Sequence, residues 1–164
     1  MNPWTNFVTV RLGELAVAKD EGRLAALGLG SCVAVILYDS ANRVGALAHV
    51  VLPQQQAGLL KASSAKFADQ AIPLLIAGMR RAGASVGSTT ARLVGGATMF
   101  ASLMQPGAVH LGQRNVASCR TALAGVGVRT VGEEIGAEHG RSVVMDVSNG
   151  SVTVRSVGRG EKRV

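Results

Sequence analysis

The segment at residues 32–52 decides the fold, and it reads CVAVILYDSANRVGALAHVVL. Two apolar runs, residues 33–38 and 44–52, flank turn-forming residues at 39–43. Continuous apolar runs rich in β-branched side chains are typical of strands that are buried on both faces. A short polar turn between two such runs predicts an antiparallel hairpin.

The register of this hairpin decides which side chains share a face. A hairpin loop of residues 40–43 pairs Ala34 with His49 and Cys32 with Val51. Cys32 and His49 are then diagonal neighbours on one face, with Cβ atoms about 7 Å apart or somewhat closer. A slip of one residue would put them on opposite faces, so the prediction depends on the length of the loop.

Strand patterns recur along the rest of the chain. They cover residues 7–12 with a continuation at 14–19, and then 92–94, 128–131, 141–147 and 152–157. With the first hairpin this gives roughly seven strands. The last two flank an Asn-Gly turn at residues 149–150, which is a strong hairpin signal. Residues 24–29 are a short apolar stretch to which we assign no element.

Two helical patterns complete the chain and set the fold class. One covers residues 65–81, with Ser63 or Ser64 as its N-cap and Pro73 as a kink or restart point. The other covers residues 114–124. The strands do not alternate with helices as βαβ units require, so we expect an α+β fold with a mixed sheet.

Length and charge bound the remaining possibilities. The 164 residues suit a single domain, residues 1–164, with a polar tail after residue 158 that we expect to be frayed. The net charge is +7, but the basic residues are scattered apart from the Arg80-Arg81 doublet and a cluster near the end of the chain. They do not interleave with aromatic residues as in single-strand binders, so a solvated basic surface is expected rather than a specific nucleic-acid site.

The cysteine pattern bears on compartment and cofactors. No signal-like N-terminus and no apolar stretch of about 18 residues is present, which predicts a cytoplasmic protein. Cys32 and Cys119 are then free thiols rather than a disulfide. Neither a C-x-x-C nor an H-x-x-x-H spacing occurs, so we predict no metal site and no cofactor.

Cys32 is the strongest candidate for chemistry. A cysteine hydrolase needs a thiolate, a base that generates it, and donors for the developing oxyanion. Cys32 follows the glycine-rich turn Gly28-Leu29-Gly30-Ser31 and opens a strand, and His49 is the candidate base. Gly30 and Ser31 lie where backbone N–H groups could hold an oxyanion or approach a substrate carbonyl.

Each candidate also has a purely structural interpretation. A cysteine at the start of a strand is more often a small hydrophobic residue than a nucleophile, and a histidine in an apolar strand is more often a core residue. Cys119 lies on the apolar side of the second helix, where we expect it to be part of the core, and His110 and His139 have no visible carboxylate partner. The glycine runs fit neither a phosphate loop nor a dinucleotide motif, so tight turns explain them. Catalysis by Ser31 would require a base and an acid that the sequence does not identify.

Several segments occur in a specific order and spacing between about Leu12 and Val157: LGLGSCVAVILYD, VGALAHVVLP, KFADQAIPLLI, LVGGATMF, LGQRNV and RSVVMDVSNGSVTV. In their order and spacing these segments resemble the CheD family of chemoreceptor glutamine deamidases. The resemblance implies hydrolysis of glutamine side-chain amides on the cytoplasmic helices of methyl-accepting chemotaxis receptors, with a possible methylesterase side activity. It also implies an α/β/β layered sandwich related to bacterial toxin deamidases.

The resemblance places the nucleophile of the family on Cys32 and its histidine on His49. The family commonly has a threonine six residues before the cysteine as the third member of a triad, and here that position is Ala26. If a hydroxyl orients the histidine in relatives, this chain should be slower or should orient His49 in another way.

A second function is compatible with the same resemblance. Many members bind CheC, a phosphatase of the response regulator CheY, so the chain could be a weakly catalytic or non-catalytic adaptor. The intact Cys32 and His49 favour the enzyme, whereas Ala26 favours the adaptor. In either case the basic surface would suit acidic receptor helices, and such binding should weaken with salt.

Overall fold

Ten strands and two α-helices form the regular structure of residues 1–56 and 64–164, the parts of the chain that the computed structural model describes. The strands are β1 (Val8–Thr9), β2 (Leu15–Lys19), β3 (Arg23–Leu29), β4 (Val33–Asp39), β5 (Val44–Val50), β6 (Thr89–Gly95), β7 (Arg129–Ile135), β8 (Arg141–Asp146), β9 (Ser151–Ser156) and β10 (Gly160–Arg163). The helices are α1 (Ala68–Arg81) and α2 (Leu111–Gly125).

The strands form two five-stranded sheets. The central sheet has the order β2-β5-β4-β6-β7, and the outer sheet has the order β1-β3-β8-β9-β10. One strand pair in each sheet is parallel, β6 with β7 and β1 with β3, and the other pairs are antiparallel. The predicted α+β class is confirmed, with two mixed sheets where the sequence suggested one.

The hairpin of β4 and β5 lies in the middle of the molecule because both of its faces are covered. Every residue of both strands is buried. On one face Val35 and its neighbours pack against both helices in a cluster that includes Leu75. On the other face Ile36 and its neighbours pack against the outer sheet in a cluster that includes Met145. The layers are therefore helices, central sheet and outer sheet, as the α/β/β sandwich requires.

Several element bounds differ from the prediction. Residues 24–29, left unassigned, belong to β3, and only Val8 and Thr9 of the first pattern pair with a neighbouring strand. Helix α1 begins at Ala68 with Phe67 as its N-cap, and it continues through Pro73 without a restart. Ser64 therefore does not cap the helix, and Ser63 lies outside the described residues.

The end of the chain also differs from the prediction, because residues 160–163 form β10 and pair with β9. Beyond the strand, the N–H of Val164 donates to the carbonyl of Val152. The polar composition that suggested fraying instead suits an exposed edge strand, whose charged side chains face solvent.

Asp39 fastens the turn between β4 and β5 to the segment before β6. Its carboxylate accepts hydrogen bonds from the N–H groups of Ala41 and Asn42 in the turn, and from the Ser85 N–H and the Ser88 hydroxyl. Burial alone would raise the pKa of Asp39, but the hydrogen bonds from the Asn42 amide, Ser85, Ser88 and the Asn42 N–H lower the pKa to about 2. The charged form is thus stabilised in the folded protein.

Replacement of Asp39 by asparagine should lower the free energy of unfolding at pH 7 by about 2 kcal/mol. The folded pKa lies below the ordinary value of 3.8, so this contribution is fully present above the ordinary value and is lost as the pH falls toward 2. Urea unfolding of both proteins between pH 7 and pH 2 would measure it. The exposed Asp20, paired with Arg43, is a matched control whose asparagine variant should change stability by less than about 0.5 kcal/mol. If the difference in the free energy of unfolding between wild type and Asp39→Asn stays the same from pH 7 to pH 2, the prediction is wrong.

Candidate active site

The predicted register of the central hairpin is confirmed. Ala34 pairs with His49, and the ladder between β4 and β5 ends at Val33 and Val50. Cys32 immediately precedes β4 and packs against the cluster between the two sheets, the cluster to which Ala34 belongs. His49 alternates with Leu47, which is part of the same cluster. Cys32 and His49 therefore lie at the same end of one face of the central sheet.

The imidazole of His49 is held by a main-chain carbonyl. Its Nδ1 lies 3.1 Å from the carbonyl oxygen of Val10. A carbonyl only accepts hydrogen bonds, so Nδ1 carries the proton, and Nε2 of the neutral ring keeps a free lone pair. Nε2 is buried and has no hydrogen-bond partner among the residues that the structure describes, so it is available as a base.

Val10 therefore takes the orienting position for which the sequence offered no side chain. Ala26 is fully buried in β3, in the same cluster as Val10. The Val10 N–H donates to the carbonyl of Ala25, which fixes the chain after β1 against β3. This contact could not be predicted from residue types, because every residue has a main-chain carbonyl that can accept a hydrogen bond.

Both candidate groups are neutral at pH 7. Burial raises the pKa of the Cys32 thiol, and its own backbone N–H partly offsets this. Burial lowers the pKa of His49, and the bond to Val10 partly offsets that. The thiol and Nε2 do not form a hydrogen bond in this structure. A proton would thus move from sulfur to nitrogen during the reaction rather than before it, and catalytic hydrogen bonds commonly tighten only with substrate.

The loop before Cys32 is held by the end of β6. The Gly96 N–H donates to the carbonyl of Cys32, and the Ala97 N–H donates to the carbonyl of Gly30, both at 2.8 Å. Among the described residues, the N–H groups of Ser31 and Cys32 donate to no other protein group. These two groups are the ones that the sequence suggested as oxyanion donors, and neither donates to another residue in the described part of the chain.

The glycine pair after β6 has a specific structural role. A Cβ atom on Gly95, whose φ is +115°, would lie 2.2 Å from the carbonyl oxygen of Cys32. A Cβ atom on Gly96 would lie 2.4 Å from a methyl carbon of Val116. Gly95 is therefore needed for the close approach of β6 to the Cys32 loop, and Gly96 for the close approach of the chain after β6 to α2. The interpretation of this pair as a simple turn misses both contacts.

Asn115 is a second residue that the sequence interpretation missed. Its side-chain Nδ2 donates to the carbonyl of Ser31 and to the carbonyl of Val51, each at 2.9 Å. It thereby links the residue before Cys32 to the segment that follows β5. The one feature that could have pointed to this role is that Asn115 is a polar residue on the otherwise apolar, buried face of α2.

An open cleft of about 470 Å³ adjoins His49. Its walls come from the segment around β1, from the end of β3 and from β5, through Thr9, Val10, Arg11, Leu12, Glu14, Leu27 and His49. Leu12 and Leu27 expose much of their side chains there. Cys32 is not among the described residues that line this cleft, so the cleft reaches the imidazole from the side of β1.

The other candidate residues lie elsewhere. Cys119 is fully buried in the core between α2 and the central sheet, and burial raises its pKa to about 12, which confirms the core interpretation. His110 is the N-cap of α2, and its N–H donates to Gln113. His139 contacts Arg141 at 3.2 Å. In residues 1–56 and 64–164, no group of three or more His, Cys, Asp or Glu could hold a metal ion.

Comparison with known proteins identifies the family. A sequence model of the family described as CheD chemotactic sensory transduction matches residues 51–156. The chain is 41% identical to a probable chemoreceptor glutamine deamidase CheD of Moorella thermoacetica over 93% of this chain and 92% of that protein. It is 40% identical to the protein of the same name from Desulforamulus reducens, over 92% and 91%.

The chemoreceptor glutamine deamidase CheD of Thermotoga maritima is 38% identical, over 93% of this chain and 94% of that protein. In residues 1–56 and 64–164, no helix has the length and apolar character needed to cross a membrane. With a family match over more than half of its length and relatives aligned over nearly all of it, the chain belongs to the CheD family.

Proposed function

We propose that this protein hydrolyses the side-chain amides of particular glutamines on chemoreceptors, with Cys32 as nucleophile and His49 as base. The observation that carries the proposal is that a partly exposed thiol and an imidazole lie at the same end of one face of the central sheet, with Nδ1 of the imidazole bound to a carbonyl and Nε2 unpartnered among the described residues. The relatives named as chemoreceptor glutamine deamidases support the substrate class.

The reaction begins with transfer of the Cys32 thiol proton to Nε2 of His49. The sulfur attacks the carboxamide carbon, a C–S bond forms, and the carbonyl oxygen becomes an oxyanion. When the tetrahedral intermediate collapses, the C–N bond breaks and the nitrogen takes the proton from Nε2 to leave as ammonia. A thioester between Cys32 and the former glutamine remains.

Water completes the cycle at the same two groups. Nε2 removes a proton from water as its oxygen attacks the thioester carbon, and collapse of the second intermediate breaks the C–S bond. The sulfur recovers the proton, and the receptor side chain is released as glutamate. A methyl ester would pass through the same thioester, so a methylesterase side activity follows from the same chemistry.

The free backbone N–H groups beside Cys32 fit the oxyanion. The carbonyls of Gly30 and Cys32 are already engaged by Ala97 and Gly96, while the N–H groups of Ser31 and Cys32 are free among the described residues. Preorganised donors of this kind contribute a large share of catalysis in acyl transfer. Gly30 contributes space, because its missing side chain leaves room beside Met99.

The surroundings of the site suit a protein substrate. The cleft beside His49 is open and bordered by the exposed side chains of Leu12 and Leu27. Phe100 and Leu103, in the segment whose Met99 covers Gly30, are also largely exposed. Exposed apolar patches of this kind mark contact with other macromolecules, and an amphipathic receptor helix has the matching chemistry.

An adaptor that binds a CheC-type phosphatase is the second candidate. Burial raises the pKa of the Cys32 thiol, so the sulfur is not a preformed thiolate. This direction is what an inert thiol would give, and it favours weak catalysis. An unpartnered Nε2 on the same face of the sheet as the thiol favours the enzyme, because a neutral thiol and a neutral imidazole can transfer a proton as the substrate is attacked.

Mass spectrometry of a receptor cytoplasmic fragment decides between the two. After incubation with this protein, peptides with target glutamines should gain about one dalton, since –NH₂ is replaced by –OH. In water labelled with oxygen-18 the gain should be about three daltons, because the new oxygen comes from the water that resolves the thioester. The same fragment without the protein is the control for spontaneous deamidation. Unchanged peptide masses with a folded protein and a fragment that a relative deamidates would reject the enzyme and leave the adaptor.

A further inference from the structure

Asn115 occupies a gap between the two chain segments that carry the candidate catalytic pair. Ser31 directly precedes Cys32, and Val51 is two residues beyond His49. The β4–β5 ladder ends at Val33 and Val50, just short of these positions. The side-chain Nδ2 of Asn115 lies 2.9 Å from each of the carbonyl oxygens of Ser31 and Val51 and thereby closes the gap.

The chemistry of this position calls for an asparagine. The two carbonyl oxygens of Ser31 and Val51 point at the same atom, so that atom must donate two hydrogen bonds. The nitrogen of a primary amide carries two hydrogens and donates both without a charge. Asn115 is fully buried (0% exposed), and its Oδ1 has no hydrogen-bond partner among the described residues. The side chain therefore contributes through its NH₂ end, and an aspartate, which offers only acceptors when ionised, could not replace it.

The bond to Ser31 also fixes the direction of the Cys32 N–H. In a planar trans peptide the C=O and the N–H point in opposite directions. Since the Ser31 carbonyl points to Asn115 on α2, the Cys32 N–H points away from α2. The Cys32 side chain packs between the sheets, on the face of the central sheet opposite to the helices. The N–H and the sulfur thus lie toward the same side, and this N–H lowers the pKa of the thiol against the effect of burial.

We propose that Asn115 is a positioning residue of the reaction, which holds the Ser31–Cys32 peptide so that the Cys32 N–H faces the reacting sulfur and the developing oxyanion. The inference rests on the proposed role of Cys32. It adds that a helix residue, remote in sequence from both Cys32 and His49, sets the geometry of the nucleophile loop.

The test compares Asn115→Ala and Asn115→Ser with Ser118→Ala. Ser118 lies on the same helix, and its hydroxyl donates to the carbonyl of Pro53, so this hydrogen bond connects α2 to the segment after β5 and not to the Cys32 loop. Two quantities are measured for each protein: the pH dependence of Cys32 alkylation by iodoacetamide, and kcat and KM for a receptor fragment. The melting temperature of each variant measures how much thermal stability the substitution removes.

In Asn115→Ala the midpoint of Cys32 alkylation should rise by about one pH unit, because the N–H no longer supports the thiolate. The kcat should fall by about tenfold to a hundredfold, with KM changed by less than about twofold. Asn115→Ser keeps a single hydrogen-bond donor, so its alkylation midpoint and its kcat should lie between those of Asn115→Ala and wild type. Ser118→Ala should lower the melting temperature but leave both the alkylation profile and kcat unchanged.

An Asn115→Ala protein with the wild-type alkylation profile and kcat would overturn the inference. A Ser118→Ala protein whose alkylation profile and kcat change as much as those of Asn115→Ala would also overturn it. If Asn115→Ala does not fold, Asn115→Ser decides by the same two measurements. The proposed function fails separately: a wild-type protein that deamidates nothing, while Asn115 variants still shift the alkylation profile, rejects the deamidase but not the positioning of the thiol.

Discussion

Replacement of Cys32 by alanine should lower the rate of receptor deamidation by at least about 10⁴-fold, to the level of the reaction without protein. The sulfur forms the covalent bond to the substrate in the proposed mechanism, and alanine has no nucleophilic atom that could replace it. The rate is measured as the growth of the mass-shifted receptor peptides. Folding should be preserved, because Cys32 is only partly buried and alanine leaves a small change in volume.

Cys119 is the matched control for this variant. It is fully buried in the core, and burial raises its pKa to about 12, so its thiol is protected and unreactive. Cys119→Ala should keep the wild-type deamidation rate and lose about 1 kcal/mol of stability for the lost packing. Iodoacetamide should label Cys32 and spare Cys119 in the folded protein. Deamidation that survives in Cys32→Ala would reject the proposed nucleophile.

Replacement of Gly95 by alanine should reduce the free energy of unfolding by about 3 kcal/mol or more. Two effects combine at this position. The φ of +115° is one that L side chains rarely adopt, and the added Cβ would lie 2.2 Å from the main-chain oxygen of Cys32. The neighbour is backbone, so relief requires β6 and the Cys32 loop to separate, which also disturbs the bond from Gly96 to Cys32. Urea unfolding at neutral pH measures the loss.

A substitution at Gly158 is the control that measures the cost of a positive φ without a steric clash. Its φ is +69°, and a Cβ there would meet nothing within 4 Å. Gly158→Ala should therefore lower the free energy of unfolding by only about 1 kcal/mol. A Gly95→Ala variant no less stable than Gly158→Ala would show that the Cys32 loop yields easily, contrary to the close packing described here.

The parts of the site that the sequence predicted are those set by local rules. The length of the turn at residues 40–43 fixes the pairing of Ala34 with His49, and the alternation of strands then brings Cys32 to the same face. Local rules also gave the Asn-Gly hairpin between β8 and β9. Both depend on neighbours within a few residues, so a single sequence contains the information.

The parts that the sequence did not predict depend on contacts between distant segments. The Val10 carbonyl on His49 and the Asn115 amide on Ser31 and Val51 come from chain segments 39, 84 and 64 residues away. The same holds for β10, whose charged residues suggested a frayed tail until their pairing with β9 was known. Composition and periodicity describe single elements, and these contacts arise only when elements are assembled.

Because a main-chain oxygen orients His49, the proposed base should tolerate substitutions that a side-chain partner would not allow. A hydroxyl can be lost in one substitution, whereas the carbonyl of Val10 is present with any side chain at position 10. What the imidazole requires instead is that the first strand stays docked, through the two-residue β1 and the bond from Val10 to Ala25. In the proposed mechanism the N-terminal segment is thus part of the reaction centre although it contributes no reactive side chain. The orientation of the proposed base depends on the docking of a strand rather than on the identity of a residue.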